Sequence, residues 1–250
     1  MNSDSGIIFE TDTQFAHYEV VDAVYSGRSA RLLYSGNKQA AQSGLALDGK
    51  PELLFDYNER FMELVRGLLP QRILVIGGGA FTLPRAVLEE LPRTRLTVVE
   101  LDPALPEIAK NYFGFKPGRH TVVHVGDGAE FLAAAGEQYD LIIIDAFSHA
   151  LVPQPLQTPA FAALLRNHVR RGGVVAMNLI SSYSGPRSAV LRRQITAFKT
   201  AFRALELFPA GREASLLMPQ NFVLTAQNGT RELQPLLLYP PLALPVVTVL

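Results

Sequence analysis

The sequence predicts an α/β protein in which a parallel β-sheet is covered by helices on both faces and is preceded by a small antiparallel β unit. From Arg72 onward, strand-like and helix-like segments alternate, which is the order of a parallel sheet with crossover helices. One strand, "YDLIIIDAF", is almost continuously apolar, as expected for a strand covered on both faces. Before this region, short apolar runs alternate with turn signals. We therefore expect an N-terminal β domain at residues 1–56 and a larger domain at residues 57–250.

The N-terminal part has the rhythm of successive hairpins. Its apolar runs are separated by Ser-Gly and Gly-Asn pairs, and they are "IIFE", "HYEVVDAVY", "ARLLYS" and "GLALD". The next segment, "FDYNERFMELVRGLLP", has apolar residues at helical spacing. Asp56 is a candidate N-cap of this helix, and Pro70 stands just past its end.

The segments after Arg72 switch between the strand period and the helix period. The predicted strands are "RILVIGG", "RLTVVELD", "HTVVHVGD", "YDLIIIDAF" and "GGVVAMNLIS", with "RALELFPA" and "NFVLTAQ" as closing strands. The predicted helices are "LPRAVLEEL", "PALPEIAKNYF", "GAEFLAAAG", "PAFAALLRNHVR" and "RSAVLRRQITAFKTAF". Pro84 falls in the first turn of the first of these helices, where proline is tolerated.

Composition narrows the classes of function. The chain has 250 residues, of which 48% are hydrophobic and 18% charged, as is typical of a globular protein. Its 23 basic and 23 acidic residues balance, and no basic run stands out, so we expect no nucleic-acid partner. The absence of cysteine excludes disulfides, thiolate metal ligands and a cysteine nucleophile. His120 and His124 have no partnering acid at ligand spacing, so we expect no metal site.

Both ends of the sequence predict a protein without a membrane segment. The first residues, "MNSDSGIIFETDTQ", lack the basic start and apolar stretch of a signal peptide. The apolar tail, "LLLYPPLALPVVTVL", is interrupted by prolines and is too short to span a bilayer as a helix. We therefore expect a cytoplasmic protein.

Glycines and acids occur where four of the predicted strands end. They are Gly77, Gly78 and Gly79 after the first strand, Glu100 at the end of the second, Asp127 after the third and Asp145 at the end of the fourth. In parallel sheets of this kind, ligands bind beyond the carboxyl ends of the strands, where the strand order reverses. These residues together predict a nucleotide site at that edge.

The spacing of these residues suits an adenosine-containing ligand. Glu100 follows Gly79 by 21 residues, the spacing at which a carboxylate binds both ribose hydroxyls of a dinucleotide or of S-adenosylmethionine. Asp127 favours the second, because it can accept a hydrogen bond from an adenine amine while Gly126 and Gly128 let the backbone approach the ring. The alternatives are an ordinary strand-end charge for Glu100 and an N-cap of "AEFLAAAG" for Asp127.

At these residues the sequence resembles the spermidine synthase family, the polyamine aminopropyltransferases. The segments "ILVIGGG", "VVELDP", "VGDGAEFL" and "YDLIIIDAF" stand in the family's order, and "GGGAFTLPRAV" and "NYFGF" resemble its less characterised, divergent branch. The resemblance implies a Rossmann-like domain with the fold of class I S-adenosylmethionine-dependent methyltransferases, behind a small N-terminal antiparallel β domain. It also implies an oligomer, and we expect a homodimer.

The resemblance implies roles for matched positions. Gln42 would contact the nucleoside donor, which is S-adenosylmethionine or its decarboxylated form, Glu100 its ribose and Asp127 its adenine. Tyr57 and Asp145 would flank the attacking amine. An amine must be neutral to displace a sulfonium-activated carbon, and a carboxylate helped by a tyrosine hydroxyl can take its proton. The alternative for Tyr57 is a packing aromatic on a helix.

Two departures bear on the substrates. Family enzymes carry an acid after the three glycines, which pairs with the ammonium of the decarboxylated donor, and here that position is Ala80. They carry a second acid, which holds a diamine, where this chain has Ser148 followed by His149. Each lost contact typically costs about 1.5–3 kcal/mol, or about one to two orders of magnitude in affinity. Loss of the second acid disfavours putrescine as the acceptor. Loss of the first acid makes intact S-adenosylmethionine admissible as the donor. Arg85 is then either a partner of the donor's carboxylate or a solvated helix residue.

The sequence therefore supports several hypotheses. The first is an aminopropyltransferase-like transferase that acts on an amine acceptor. The second is a small-molecule methyltransferase on the same fold, and the third is a non-catalytic nucleoside-binding homologue. A dehydrogenase is the least favoured, since "GGGAF" lacks the third spaced glycine of the dinucleotide fingerprint.

Overall fold

The structure is a computed structural model of the 250-residue chain. It describes residues 6–36, 40–48, 52–147, 152–211 and 217–229. Ser148 and His149, on which part of the acceptor argument depends, lie outside the described residues.

The N-terminal region forms a four-stranded antiparallel sheet with the strands in sequence order. Its strands are β1 (Gly6–Asp12), β2 (His17–Tyr25), β3 (Arg28–Ser35) and β4 (Ala41–Ala46). Each strand pairs antiparallel with the next strand along the chain, as the alternation of apolar runs and turn signals predicts.

A seven-stranded sheet carries the rest of the described fold. Its strands are β5 (Arg72–Ile76), β6 (Arg95–Glu100), β7 (Thr121–Val125), β8 (Tyr139–Ile144), β9 (Val169–Ser181), β10 (Ala204–Pro209) and β11 (Gln220–Gln227). The order across the sheet is β10-β11-β9-β8-β5-β6-β7. The pairs from β9 to β7 are parallel as predicted, but β11 lies between β9 and β10 and is antiparallel to both.

Six α-helices are described. They are α1 (Asp56–Leu68), α2 (Thr82–Glu90), α3 (Ala104–Tyr112), α4 (Gly128–Ala134), α5 (Pro159–His168) and α6 (Ala189–Lys199). The prediction of Asp56 as an N-cap is wrong by one residue: Phe55 precedes the helix without a side-chain cap, and Asp56 is the first helical residue. Within the described part of the chain, no helix is both long enough and apolar enough to cross a membrane.

Successive residues of the central strands point into two different apolar cores. On β5, Ile73 and Val75 pack with α1 to α3, and Leu74 and Ile76 pack with α4 to α6. The first core also takes Val20 and other side chains of the N-terminal sheet. The two sheets therefore share one core, and the predicted boundary between residues 56 and 57 falls in the first turn of α1.

The strand order reverses between β5 and β8. From β5 the chain builds outward through β6 and β7, and from β8 it builds to the other side through β9. In parallel sheets of this kind, the loops that leave the carboxyl ends on either side of such a reversal diverge, and ligands bind between them. Gly77 follows β5 and Asp145 follows β8, so both lie at this switch point.

Candidate active site

The glycine turn after β5 is required first by the packing of the protein itself. Gly77 has φ +92°, and a Cβ at this position would lie 2.4 Å from the carbonyl oxygen of Asp145. Gly79 has φ +53°, and its Cβ would lie 2.7 Å from the Ser43 hydroxyl. Only glycine combines these backbone angles with such close neighbours. The turn thus brings the end of β5 against the end of β8 and against β4.

Glu100 fixes the glycine turn. Its Oε2 accepts hydrogen bonds from the amides of Gly78 at 2.7 Å and Gly79 at 3.2 Å, and its Oε1 accepts one from the amide of Asp102 at 3.0 Å. The side chain is buried, and this burial raises the pKa of the carboxyl while the amide donors oppose the rise. The sequence predicted a ligand-binding acid at this position, and the structure adds a bond to the turn itself.

Asp127 caps helix α4. Its Oδ1 accepts hydrogen bonds from the amides of Ala129 at 2.8 Å and Glu130 at 3.0 Å. Oδ1 therefore acts as the N-cap, as the alternative interpretation of Asp127 predicts. Among the described residues, none donates a hydrogen bond to Oδ2. Gly128 begins α4, where a Cβ would lie 2.4 Å from Ile76 Cγ2, so this glycine too is explained by packing.

Asp145 is the centre of a hydrogen-bonded group. The Tyr57 hydroxyl on α1 bonds to its carboxylate, and Asn178 Nδ2 on β9 donates to Oδ1 at 2.9 Å. Burial raises the pKa of Asp145 to about 6, and the bonds from Asn178 and Tyr57 oppose that rise. Burial, and then the charge of Asp145, raise the pKa of Tyr57 well above its ordinary value. The carboxyl therefore titrates just below neutral pH beside a hydroxyl that stays protonated.

Gln42 belongs to the strand of the N-terminal sheet that contacts the glycine turn. It lies on β4 beside Ser43, whose hydroxyl accepts a hydrogen bond from the Ala80 amide at 3.1 Å in the glycine turn. The Gln42 Oε1 atom is buried and accepts no hydrogen bond from the described residues. A buried amide oxygen of this kind is suited to a ligand donor.

Backbone hydrogen bonds join the four strand ends. Asp145 N donates to Ile76 O at 2.8 Å, and Gly77 N donates to Val99 O at 2.8 Å. Gly126 N donates to Glu100 O at 2.9 Å. The predicted glycines and acids thus lie side by side along one edge of the sheet, but each acid contacts different groups.

Sequence reasoning missed the groups that hold these acids. Asn178 is a buried amide in the otherwise apolar segment "VVAMNLI", and this is the one signal that the sequence offers. Asp102 is almost fully buried and accepts a hydrogen bond from the Thr13 hydroxyl at 2.5 Å, which joins the β1–β2 turn to the segment after β6. Such partners come from distant segments of the chain.

The N-terminal hairpin holds one polar group outside this edge. Glu10, His17 and Glu19 place ligand-type atoms within 4.8 Å of one another, and His17 Nδ1 lies 2.9 Å from Asp12 Oδ1. This side-chain hydrogen bond with Asp12 raises the pKa of His17. No sequence pattern distinguishes His17 from the other histidines.

Comparison with known proteins identifies a family match over the segment that carries most of these residues. A family model described as the spermine/spermidine synthase domain matches residues 54–183, or 130 of the 250 residues. The chain belongs to this family. The family membership predicted from the sequence motifs is thereby confirmed. The matched segment runs from the start of α1 to the end of β9, so it includes Tyr57 and Asp145 but not Gln42.

Relatives of two kinds match the chain. It is 36% identical over 116 residues to the polyamine aminopropyltransferase of Vibrio vulnificus (strain CMCP6), covering 45% of this chain and 39% of that protein. It is 30% identical over 165 residues to the eEF1A lysine and N-terminal methyltransferase of Homo sapiens, covering 61% of this chain and 22% of that protein. The chain thus spans well under two thirds of the length of either relative.

Solved structures confirm the fold class. A probable spermidine synthase from Corynebacterium glutamicum ATCC 13032 superposes with a TM-score of 0.75 at 19% identity, over 90% of this chain and 81% of that one. Human methyltransferase-like protein 13, solved in complex with SAH, superposes with a TM-score of 0.59 at 23% identity, over 72% of this chain and 86% of that one. The fold is therefore the Rossmann-like fold that spermidine synthases share with methyltransferases.

The structure describes the first departure from the spermidine synthase pattern. Ala80 is completely buried and packs in the core beside Phe81, a left-handed residue with φ 55°. Arg85, one turn further on, is mostly buried and its Nε lies 2.9 Å from Glu89 Oε1. The interpretation of Arg85 as a solvated helix residue is therefore wrong, because it pairs along its own helix.

Proposed function

We propose that the chain is a spermidine synthase-like transferase that binds S-adenosylmethionine or its decarboxylated form and transfers an aminopropyl group to an amine. The observation that carries the proposal is the Asp145 carboxylate at the switch point, bonded to Tyr57 and Asn178. Membership of the spermine/spermidine synthase family supports a transferase that acts on a small amine. The order of the strand-end acids supports a nucleoside donor at the neighbouring strands.

The residues of the edge fit an adenosine-bearing donor. The buried Gln42 Oε1 would accept from the nucleoside, and Asp127, whose Oδ1 already caps α4, would accept from the adenine amine. Glu100 would accept from the ribose hydroxyls, since each carboxylate oxygen can accept more than one bond. Gly77, Gly78, Gly79 and Gly128 would contact the donor through their backbone atoms, while their missing side chains make room for the protein's own neighbouring groups. A sulfonium donor supplies an electrophilic carbon, and its carbon–sulfur bond breaks as the new carbon–nitrogen bond forms.

Asp145 would prepare the acceptor. An alkyl amine is protonated in neutral solution, and the attacking nitrogen must lose that proton to carry a lone pair. With its pKa raised to about 6, Asp145 is mostly ionised at pH 7 and is a stronger base than an ordinary carboxylate, so it is available to accept the proton as the new bond forms. The Tyr57 hydroxyl, which stays protonated, would orient the carboxylate and the amine.

The donor's carboxylation state depends on position 80. A carboxylate there would attract the ammonium of the decarboxylated donor and repel the carboxylate of intact S-adenosylmethionine. Ala80 does neither, so this chain would accept the intact donor more readily than a family member with an acid. Together with the methyltransferase relatives, this favours a second candidate function, a small-molecule methyltransferase.

Product analysis separates these functions. The protein is incubated with each donor and a panel of primary amines, and the nucleoside product is identified by mass spectrometry. Release of 5′-methylthioadenosine supports aminopropyl transfer, and release of S-adenosylhomocysteine supports methylation. Nucleoside binding by calorimetry with neither product would overturn both and leave a non-catalytic homologue. Light scattering on the same sample tests the expected homodimer.

A further inference from the structure

Two asparagines connect Asp145 to the antiparallel strand of the sheet. Asn178 Nδ2 on β9 donates to Asp145 Oδ1 at 2.9 Å. Asn221 Nδ2 on β11 donates to Asn178 Oδ1, also at 2.9 Å. Asn178 pairs across the strands with Val223, and Asn221 stands two residues from Val223, so the asparagines are diagonal neighbours on one face of the sheet.

The order of the bonds fixes which way the Asn178 amide faces. An ionised carboxylate only accepts hydrogen bonds, so Asn178 must turn its NH₂ toward Asp145. A flipped amide would place its oxygen against the carboxylate. Asn221 prevents the flip, because its own NH₂ occupies the Asn178 oxygen. Asn178 is only 2% exposed, so water has little access to replace either bond.

Helix α1, which carries Tyr57, is also linked to strand β11, which carries Asn221. Arg60 on α1, three residues after Tyr57, donates from Nε to the carbonyl oxygen of Ala210 at 3.1 Å. Ala210 in turn donates from its amide to the carbonyl oxygen of Asn221 at 3.1 Å. The helix that carries Tyr57 and the strand that carries Asn221 are therefore held to one another beside Asp145.

We infer that Asn178 and Asn221 are positioning residues of the proposed transferase, which together hold the Asp145 carboxylate in one orientation at the switch point. The inference rests on the proposed function for its catalytic meaning, although the hydrogen-bonded chain exists without it. It also assigns a role to β11, which lies beyond the segment matched by the family model.

The inference predicts how Asp145 titrates. The groups that face the carboxylate are Asn178 from β9 and Tyr57 from α1, and Tyr25 from β2 in turn faces Tyr57. Both bonds to Asp145 lower its pKa against the effect of burial. Losing a hydrogen bond to the charged form should raise the titration midpoint by about one to two pH units.

Carboxyl NMR on protein labelled at the Asp Cγ tests this directly. The Asp145 signal, assigned from its loss in Asp145→Asn, is titrated in wild type, Asn178→Leu, Asn221→Leu and the double variant. We expect the midpoint to rise by about one to two units in Asn178→Leu and by a smaller amount in Asn221→Leu. The double variant should match Asn178→Leu alone, because Asn221 acts only through Asn178.

The matched control is Asn228→Ala, near the opposite end of β9, where Nδ2 donates to the carbonyl oxygen of Val169 at 2.8 Å. It removes a buried amide without touching Asp145, so the midpoint should not move. An unmoved midpoint in Asn178→Leu overturns the inference, and additive shifts in the double variant overturn the part concerning Asn221. If the leucine variants do not fold by circular dichroism, Asn178→Ser and Asn221→Ser are used and should shift the midpoint in the same direction.

The titration also separates this inference from the proposed function. It needs no substrate, so it reports on the two asparagines even if no group is transferred. Where transfer is observed, the acidic limb of the kcat/KM profile in Asn178→Leu should move by the same amount as the NMR midpoint. Transfer with an unmoved limb would overturn the inference and leave the function standing.

Discussion

Gly77 faces the backbone of Asp145 so closely that a Cβ on Gly77 would lie 2.4 Å from the Asp145 carbonyl oxygen. The two residues end the neighbouring strands β5 and β8, and Asp145 N also donates to Ile76 O at 2.8 Å. The position of the proposed base therefore depends on a glycine that contacts no substrate group through a side chain.

Gly77→Ala should lower the stability of the fold and displace the backbone of Asp145. The variant adds backbone strain at φ +92° and a backbone clash at Asp145, and each effect typically costs about 1–3 kcal/mol. We expect the free energy of unfolding in urea to fall by at least about 2 kcal/mol. The control is Gly27→Ala, at φ +80° with open space around its Cβ, which should cost only about 1 kcal/mol. Equal losses in both variants would show that the contact with Asp145 has no effect.

Much of this arrangement can be predicted from the sequence, because local patterns set it. The continuous apolar run of β8 identifies a central strand, and an acid directly after such a run must lie at the carboxyl edge. The glycine turn and the acids Glu100 and Asp127 were located in the same way. These features depend on residues next to one another in the chain.

The remaining features depend on pairing that the sequence does not encode locally. The insertion of β11 between β9 and β10 brings Asn221 to Asn178, 43 residues away. Nothing in "NFVLTAQ" distinguishes a strand at the edge from one inside the sheet. Likewise, the hydrogen bonds from the glycine amides to Glu100 require β6 to lie beside β5.

Asp145→Asn should make the protein more stable above neutral pH while abolishing the proposed transfer. The folded-state pKa of Asp145, about 6, lies above the ordinary value of 3.8, so the fold favours the protonated form. Wild type therefore loses stability as pH rises from about 4 to about 6, by up to about 3 kcal/mol for two units at about 1.4 kcal/mol each. The variant keeps that stability, and urea unfolding at pH 8 and at pH 4 should show its advantage at pH 8 alone.

Asp48→Asn is a control in which we expect the stability at pH 8 to change in the opposite direction. The Arg28 guanidinium holds the pKa of the exposed Asp48 carboxyl below its ordinary value. Its contribution to stability is therefore present at neutral pH and is lost as pH falls through that lowered value. The Asn variant should be slightly less stable than wild type at pH 8. If Asp145→Asn were also less stable there, the assignment of a raised pKa to Asp145 would be wrong.

Asp127→Asn should separate the helix cap from the proposed contact with adenine. Asparagine caps helices about as well as aspartate, so the free energy of unfolding should change little. The charge is lost, and the affinity for 5′-methylthioadenosine, measured by calorimetry, should fall by about tenfold to a hundredfold. Thr158→Ala is the control, since it removes the cap of α5, where the hydroxyl accepts from the Phe161 amide at 3.1 Å, and it changes no residue of the predicted donor site. Unchanged affinity in Asp127→Asn would leave Asp127 as a cap alone.

Ala80→Asp should restore a preference for the decarboxylated donor. Ala80 is completely buried beside the glycine turn, so a carboxylate there lacks water and gains most from a cation. We expect the ratio of the two donor affinities to move toward the decarboxylated donor by about tenfold to a hundredfold. The variant alone should melt at a lower temperature than wild type, and the decarboxylated donor should raise its melting temperature more than the intact donor does.

Ala80→Asn gives the matched comparison, because asparagine fills nearly the same volume without the charge. If crowding beside Phe81 alone decides the outcome, both variants lose affinity for both donors equally and the ratio stays at the wild-type value. If charge decides it, only the aspartate variant changes the ratio, and the change weakens below the pKa of the new carboxyl as the donor's ammonium loses its partner. If both variants kept the wild-type ratio of donor affinities, position 80 would not discriminate between the two donors. The argument from Ala80 for intact S-adenosylmethionine would then be wrong.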